Sequence, residues 1–156
     1  MNLSPYETKL DRFRDACRHL GIKATHQRLE IFREVMQSTE HPDAEAVFLG
    51  VQHRVPTVSL DTVYRTLKLL TELGFISTLG PRQEALRFDG NQEPHHHHIC
   101  VRCGKVQDVS NPLVDLETVQ RNLAATGTVQ TARIEIRGLC KACAAGASTP
   151  VSAGNH

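Results

Sequence analysis

Residues 95–109 read HHHHICVRCGKVQDV and contain the first of two CxxC pairs, Cys100–Cys103. The second pair, Cys140–Cys143, follows a segment that predicts a strand, a helix over residues 111–126 and another strand over residues 128–137. Cysteines separated by two residues can bind one ion, and four thiolates complete a tetrahedral zinc site that leaves no position for water. A redox-active CxxC is the rival interpretation, but two pairs in one small domain of a cytoplasmic protein favour metal. The sequence therefore predicts a closed, structural zinc site.

The four histidines before the first cysteine pair suggest a second metal site. Alternate side chains of a strand share a face, so His95 and His97 form one pair, and His96 and His98 form the other. One pair is expected to face a ligand and the other solvent. Carboxylates and a further imidazole must come from elsewhere, and the candidates are His41, Asp89 and Asp108. The alternative is a solvated polar strand; an expression tag is disfavoured because the run is short and internal.

The part of the chain before residue 90 predicts helices in series and then a hairpin. Apolar residues recur at helical spacing in residues 5–20, with Leu10, Phe13, Cys17 and Leu20. They recur again after the expected caps Thr25 and Ser59, and after residues 41–43 (HPD), which end one helix and start the next. Residues 75–79 and 85–89 alternate as strands around a turn at residues 80–84. A series of helices followed by a hairpin is the arrangement of a winged helix-turn-helix domain.

Length and composition set broad limits on the class of protein. The 156 residues can form one ordinary domain or two small ones, and 40% hydrophobic with 22% charged residues is ordinary for a globular protein. No apolar run approaches the roughly 20 residues that span a bilayer, and the first residues do not resemble a signal peptide, so a cytoplasmic protein without membrane contact is expected. A net charge of +1 gives no general argument for nucleic-acid binding. We expect an α+β fold with domains at residues 1–89 and 90–143 and a flexible tail at residues 144–156.

Six sequence motifs resemble those of the ferric uptake regulator family and occur in the same order. The match covers nearly the whole chain, from about residue 20 to residue 143. The motifs are THQR (25–28), HPDAEAVF (41–48), TVYRTLKLL (62–70), RFD (87–89), HHHHICVRCGKVQD (95–108) and CKAC (140–143). The resemblance implies a winged-helix DNA-binding domain, a C-terminal α/β dimerisation domain, a structural zinc and a regulatory metal site between the domains. His26 stands where the family more often has proline, which bears only on the start of that helix.

The regulatory ligands of the family fall on five residues of this chain, namely His41, Asp89, His95, His97 and Asp108. The two carboxylate ligands, Asp89 and Asp108, are both aspartates. In this respect the chain resembles the peroxide-responsive branch of the family, whereas iron-uptake members usually have glutamates at these positions. Iron-uptake members have a further metal site, whose ligand positions correspond here to Pro94, His96, Asp115 and Ala132. The side chains of Pro94 and Ala132 cannot bind metal, which also argues against the iron-uptake branch. Nitrogen and oxygen donors suit Fe²⁺ or Mn²⁺. The resemblance implies that peroxide would oxidise His41 or His95.

The fourth predicted helix, residues 59–74, supplies the candidate contacts with DNA. The candidates are Thr62, Tyr64, Arg65 and Lys68 on that helix, and Arg82 in the hairpin turn; for Lys68 and Arg82 an ordinary solvated surface is an equal alternative. A homodimer predicts a palindromic operator. The alternatives are a peroxide-insensitive regulator of iron, manganese or zinc uptake and, more distantly, a zinc hydrolase, for which the sequence offers no convincing nucleophile motif. We predict a repressor and no enzymatic activity.

Overall fold

The computed structural model describes residues 4–80, 85–110, 115–130 and 132–146. The chain divides into two compact units, Met1–Gln92 and Glu93–His156, called here the N-terminal and C-terminal units. Arg82 with its predicted turn, and the predicted tail from residue 147 onward, lie outside the described residues. Within the described ranges, no helix has both the length and the apolar character needed to cross a membrane.

The N-terminal unit has the four helices and the hairpin that the sequence predicts. The elements are α1 (Pro5–His19), α2 (His26–Gln37), α3 (Ala44–Gln52), α4 (Leu60–Glu72), β1 (Ser77–Leu79) and β2 (Arg87–Asp89). A side chain directly before each helix accepts a hydrogen bond from an amide of the first turn, and these caps are Ser4, Thr25, Asp43 and Ser59. The strands β1 and β2 pair antiparallel, with Thr78 opposite Phe88.

Aromatic rings hold the helices of this unit together. Phe13, Phe32 and Phe75 contact one another edge to face, with centroid separations of 5.4 to 5.6 Å. Arg54 after α3 donates to Glu30 and Glu34 of α2 and fixes the angle between these helices. The expectation that Leu20 continues the apolar stripe of α1 was wrong, since the helix ends at His19 and the Leu20 side chain is 55% exposed.

The C-terminal unit is built on a three-stranded sheet with the order β4-β3-β5. Its elements are β3 (His96–Cys100), β4 (Val106–Val109), α5 (Leu116–Asn122), β5 (Glu135–Gly138) and α6 (Lys141–Ala144). The central β3 pairs antiparallel with β4 and parallel with β5. The strand predicted over residues 128–137 is much shorter, because only residues 135–138 pair with β3. Together the two units confirm the predicted α+β class, with a winged helix-turn-helix followed by a small α/β unit.

Candidate functional site

The four cysteines of the C-terminal unit converge on one point. Their sulfur atoms all lie within 4.8 Å of one another, and Cys103 Sγ is 3.7 Å from Cys140 Sγ. A tetrahedron with zinc–sulfur bonds of about 2.3 Å has sulfurs about 3.8 Å apart, so the spacing fits zinc, whereas a disulfide requires about 2.05 Å. Within each pair, the amide of the second cysteine donates to the sulfur of the first at 3.5 Å. The four sulfurs therefore have the spacing of a zinc site in which all four ligands are cysteines.

The thiols of this cluster differ in how readily they ionise. Amide donors, first that of Cys103 and then that of Cys140, lower the pKa of the Cys100 thiol to about 5. Burial, followed by the neighbouring sulfurs, raises the pKa of Cys143 to about 12. The Cys143 thiolate therefore needs a positive charge beside it in order to form at neutral pH. Zinc supplies that charge, which makes the ion part of the fold of this unit.

A second group of possible ligands lies along β3 and β4. His95 Nε2 is 3.0 Å from His97 Nε2, and Asp108 Oδ1 lies 3.5 Å from His97 Nε2 and 3.7 Å from His95 Nε2. Asp108 stands directly opposite His97 in the β3–β4 register. Adjacent ligands of an ion with bonds of about 2.1 Å are roughly 3.0 Å apart. Two imidazoles and a carboxylate thus meet at the spacing that a divalent ion requires.

Hydrogen bonds orient the histidines of this group. His95 Nδ1 lies 2.6 Å from the carbonyl oxygen of Glu93, and a proton on Nδ1 makes Nε2 the nitrogen with the lone pair that can bind metal. The sequence predicted that one of the two histidine pairs faces solvent, but in the pair without a ligand position, His96 and His98, the His96 side chain is only 6% exposed. The amide of Ile134 donates to His96 Nδ1 at 3.1 Å, so His96 joins β3 to the segment before β5. His98 is half-buried.

The N-terminal unit brings His41 and Asp89 together. The Phe88 amide donates to the Pro42 carbonyl at 2.9 Å, which places the turn that carries His41 beside β2. His41 Nε2 lies 3.9 Å from Asp89 Oδ2, and both side chains are buried. The Asn91 amide donates to Asp89 Oδ1 at 2.8 Å. A Cβ at Gly90 would lie 2.8 Å from Met36 Cα, so the close approach of the chain to α2 after Asp89 requires glycine.

One face of α4 is polar and exposed. Tyr64 is 53% exposed, and the Arg65 and Lys68 side chains are 80% and 78% exposed. Arg65 Nε lies 2.9 Å from Asp61 Oδ2, and Lys68 Nζ lies 3.8 Å from Glu72 Oε1. Thr62, also a predicted contact, is half-buried because its amide and hydroxyl bond to Ser59 Oγ in the helix cap. This face is available for binding, with Arg65 extended furthest into solvent.

A cleft beside this face contains residues that the sequence analysis missed. It has a volume of about 490 Å³ and is lined by Thr62 of α4 and by Ile22, Lys23, Thr25, Gln27 and Arg28 at the start of α2. The amides at the start of α2 and the Lys23 ammonium favour an anion there. Lys23, two residues before the cap Thr25, was the signal in the sequence for an anion-binding position. The sequence alone does not show that α2 and α4 begin side by side.

Residues 19–137 match the ferric uptake regulator family. The peroxide-responsive repressor PerR of Staphylococcus aureus (strain Mu50) is 31% identical over 144 residues, which cover 92% of this chain and 97% of the relative. Among solved structures, the ferric uptake regulator Fur of Helicobacter pylori has a TM-score of 0.78 and 25% identity, covering 92% of this chain and 97% of that one. PerR from Streptococcus pyogenes has a TM-score of 0.50 and 30% identity, with 92% and 95% covered.

The similarity to PerR covers 92% of this chain, and the family match covers residues 19–137, which include the histidine run and the first cysteine pair. They also decide against the zinc hydrolase alternative, because the matched family consists of regulators. The chain therefore belongs to the ferric uptake regulator family and is a metal-responsive transcriptional regulator, not an enzyme.

Proposed function

We propose that this regulator is a dimeric repressor that binds operator DNA in its metal-loaded form and senses peroxide through oxidation of a histidine ligand. The convergence of His95, His97 and Asp108 in the C-terminal unit carries the proposal. The same ion would take His41 and Asp89 from the N-terminal unit as its remaining ligands. Three imidazoles and two carboxylates, without a thiolate, suit Fe²⁺ or Mn²⁺. Such a repressor would act in the cytoplasm, where its DNA is.

The proposed switch depends on how the ligands are divided between the two units. His41 and Asp89 belong to the DNA-binding unit, whereas the other three ligands belong to the C-terminal unit. An ion that needs both sets stabilises only the arrangement in which they meet, and so shifts the population toward it. Moving such an equilibrium from 1:99 to 99:1 takes about a 10⁴-fold difference in affinity, which is within reach of a five-ligand site.

Peroxide would reverse this effect by damaging a ligand. A ferrous ion supplies the reactivity toward peroxide. One peroxide oxygen is transferred to a ring carbon of His41 or His95 and the other leaves as water, so that the imidazole is oxidised by two electrons. An oxidised imidazole is a poor ligand, and the repressor would lose its metal and its operator. The aspartates at 89 and 108 and the similarity to peroxide-responsive repressors support this branch of the family.

The peroxide mechanism is tested by peptide mass spectrometry of zinc-replete protein loaded with Fe²⁺ and given a small dose of peroxide. We expect one added oxygen on the peptide that contains His41 or His95, together with loss of operator binding. Protein loaded with Mn²⁺ is the control and should gain no oxygen. If neither peptide gains oxygen while DNA binding still follows the metal concentration, the chain is a peroxide-insensitive metal sensor.

Dimerisation is supported by the surface of the C-terminal unit. The described helix α5 has no buried residue; its first residue Leu116 is 49% exposed, and Leu123, which caps its C-terminus, is 42% exposed. These leucines are seven residues apart and lie on the same helix face. In addition, β5 is an edge strand of the sheet. A second copy that covers these groups would form a two-fold dimer, and a two-fold dimer would recognise a palindromic operator.

Arg65→Ala is expected to weaken operator binding about 10- to 100-fold, because an arginine that reads a base edge contributes roughly 1–3 kcal/mol. Zinc content and dimerisation should not change, since the side chain is exposed and its ion pair is with Asp61 of the same helix. Fluorescence anisotropy with the Mn²⁺-loaded protein measures the affinity. Arg14→Ala is the matched control, because Arg14 also forms an exposed pair with a helical aspartate. Equal affinities for both variants would reject the role of Arg65.

A further inference from the structure

A second cleft in the N-terminal unit, with a volume of about 540 Å³, lies between α3, α4 and the hairpin. This volume is within the range of cavities that hold small organic molecules. Phe88 and Ala44, both buried, contribute apolar surface to it. Leu86 is 44% exposed and Tyr64 is 53% exposed, so the cleft also has accessible apolar and aromatic walls. We call this feature the hairpin groove.

The described lining of the hairpin groove carries more negative than positive charge. Asp43, Glu45 and Glu72 contribute three carboxylates, and Lys68 contributes the single ammonium. Lys68 Nζ is 3.8 Å from Glu72 Oε1, and one oxygen of Asp43 caps α3. Glu45 has no ion pair among the described residues. The three carboxylates disfavour an anion inside the groove and favour a cation there.

From the shape and charge of the groove we infer that it binds a small organic cation with an apolar body, such as an aryl-alkyl amine. The apolar body would lie against Leu86 and Phe88, and the ammonium would lie near Glu45. The exposed ring of Tyr64 adds a surface on which a cation is stabilised by the ring electrons. No metal ligand of either centre lines the groove, so the site is separate from both.

Such a ligand would compete with DNA. Tyr64 and Lys68 line the groove and also belong to the α4 face proposed to contact the operator. A molecule seated there would cover one side of Tyr64 and hold Lys68 away from phosphate. The repressor would then respond to a second, metal-independent signal. This consequence rests on the proposed operator-binding role, whereas binding of the amine itself does not.

Binding is tested on the full chain loaded with zinc and Mn²⁺, using tryptamine as the probe and indole-3-propionate as the anion of similar shape. Amide signals of Thr78 and Leu86 in proton–nitrogen correlation spectra report on the groove. We expect tryptamine to shift these signals and to bind roughly tenfold more tightly than the anion. Binding of both probes with equal affinity, or no shift at these amides, would overturn the inference.

Variants of the groove make the test specific. Leu86→Ser should weaken tryptamine binding about three- to tenfold through lost apolar contact, and Glu45→Gln about two- to fivefold. Leu49→Ser is the matched control, because Leu49 is an exposed leucine of α3 that does not line the groove. If Leu86→Ser and Leu49→Ser bind tryptamine with the same affinity, the ligand does not occupy the groove.

Competition with DNA is measured separately, by titrating operator DNA in saturating tryptamine. We expect operator affinity to fall about tenfold in the unaltered protein and less in Leu86→Ser at the same amine concentration. Binding of tryptamine in the groove without any effect on operator affinity would reject the competition. Failure of the protein to bind an operator in the absence of amine would instead count against the proposed repressor function.

Discussion

Cys103→Ser is expected to abolish zinc binding and to unfold the C-terminal unit. The described apolar core of this unit consists largely of the four cysteines, so little else stabilises it once the ion is lost. Zinc on such a site contributes about 10–16 kcal/mol in small peptides, which is as large as the whole stability of a typical domain. Zinc content, the melting curve by circular dichroism and the mass in solution should all change together.

Cys17→Ala is the control for this experiment, because it also removes a thiol but lies in the core of the N-terminal unit. It should lower stability by about 1 kcal/mol through the small cavity it leaves, while zinc remains bound at one ion per chain. A Cys103→Ser protein that stays folded and dimeric without zinc would show that the ion is not structural.

His97→Ala is expected to have the largest effect on regulation. His97 is 2% exposed, and its Nε2 lies close to both His95 and Asp108, so its removal takes away the central donor of the group. Loss of a direct ligand should weaken Mn²⁺ binding at least about 100-fold, since loss of a residue that only supports a ligand already costs 10- to 100-fold. Operator binding at micromolar Mn²⁺ should fall with it. Calorimetry with Mn²⁺ and anisotropy with DNA measure the two effects.

His98→Ala is the matched control, because His98 is the next residue of the same strand and points to the opposite face. It should retain Mn²⁺ affinity and operator binding. Zinc content and circular dichroism of the two variants should be equal, which excludes a general loss of structure. Mn²⁺ binding by His97→Ala with unchanged affinity would remove His97 from the ligand set.

Local signals in the sequence predicted most of the N-terminal unit. The caps Thr25 and Ser59 begin their helices as expected, α3 starts directly after residues 41–43, and Gly74 with a positive φ follows α4. Such signals act within one turn of the chain, so they can be recognised without knowing the fold. The cysteine pairs were equally clear, because their spacing reflects the geometry of the ion.

Features that depend on contacts between distant segments were harder to predict. The alternation of β3 could not show that both histidine pairs are largely buried, because the burial of His96 depends on its hydrogen bond with Ile134, 38 positions later. The strand around residue 135 was predicted too long, because its pairing with β3 limits it and its own pattern does not. Lys23 was not recognised as lining a cleft, since the cleft exists only because α2 and α4 begin side by side.

The arrangement of the two cysteine pairs also has a consequence for synthesis on the ribosome. The N-terminal unit has its own apolar core and can fold as soon as its last strand has emerged. The zinc site cannot close until Cys140 and Cys143 have been translated, after every described strand of the C-terminal unit. Nascent chains would therefore carry a completed DNA-binding half before they can pair with another copy. A cell short of zinc would therefore make chains whose DNA-binding unit is folded but which cannot pair.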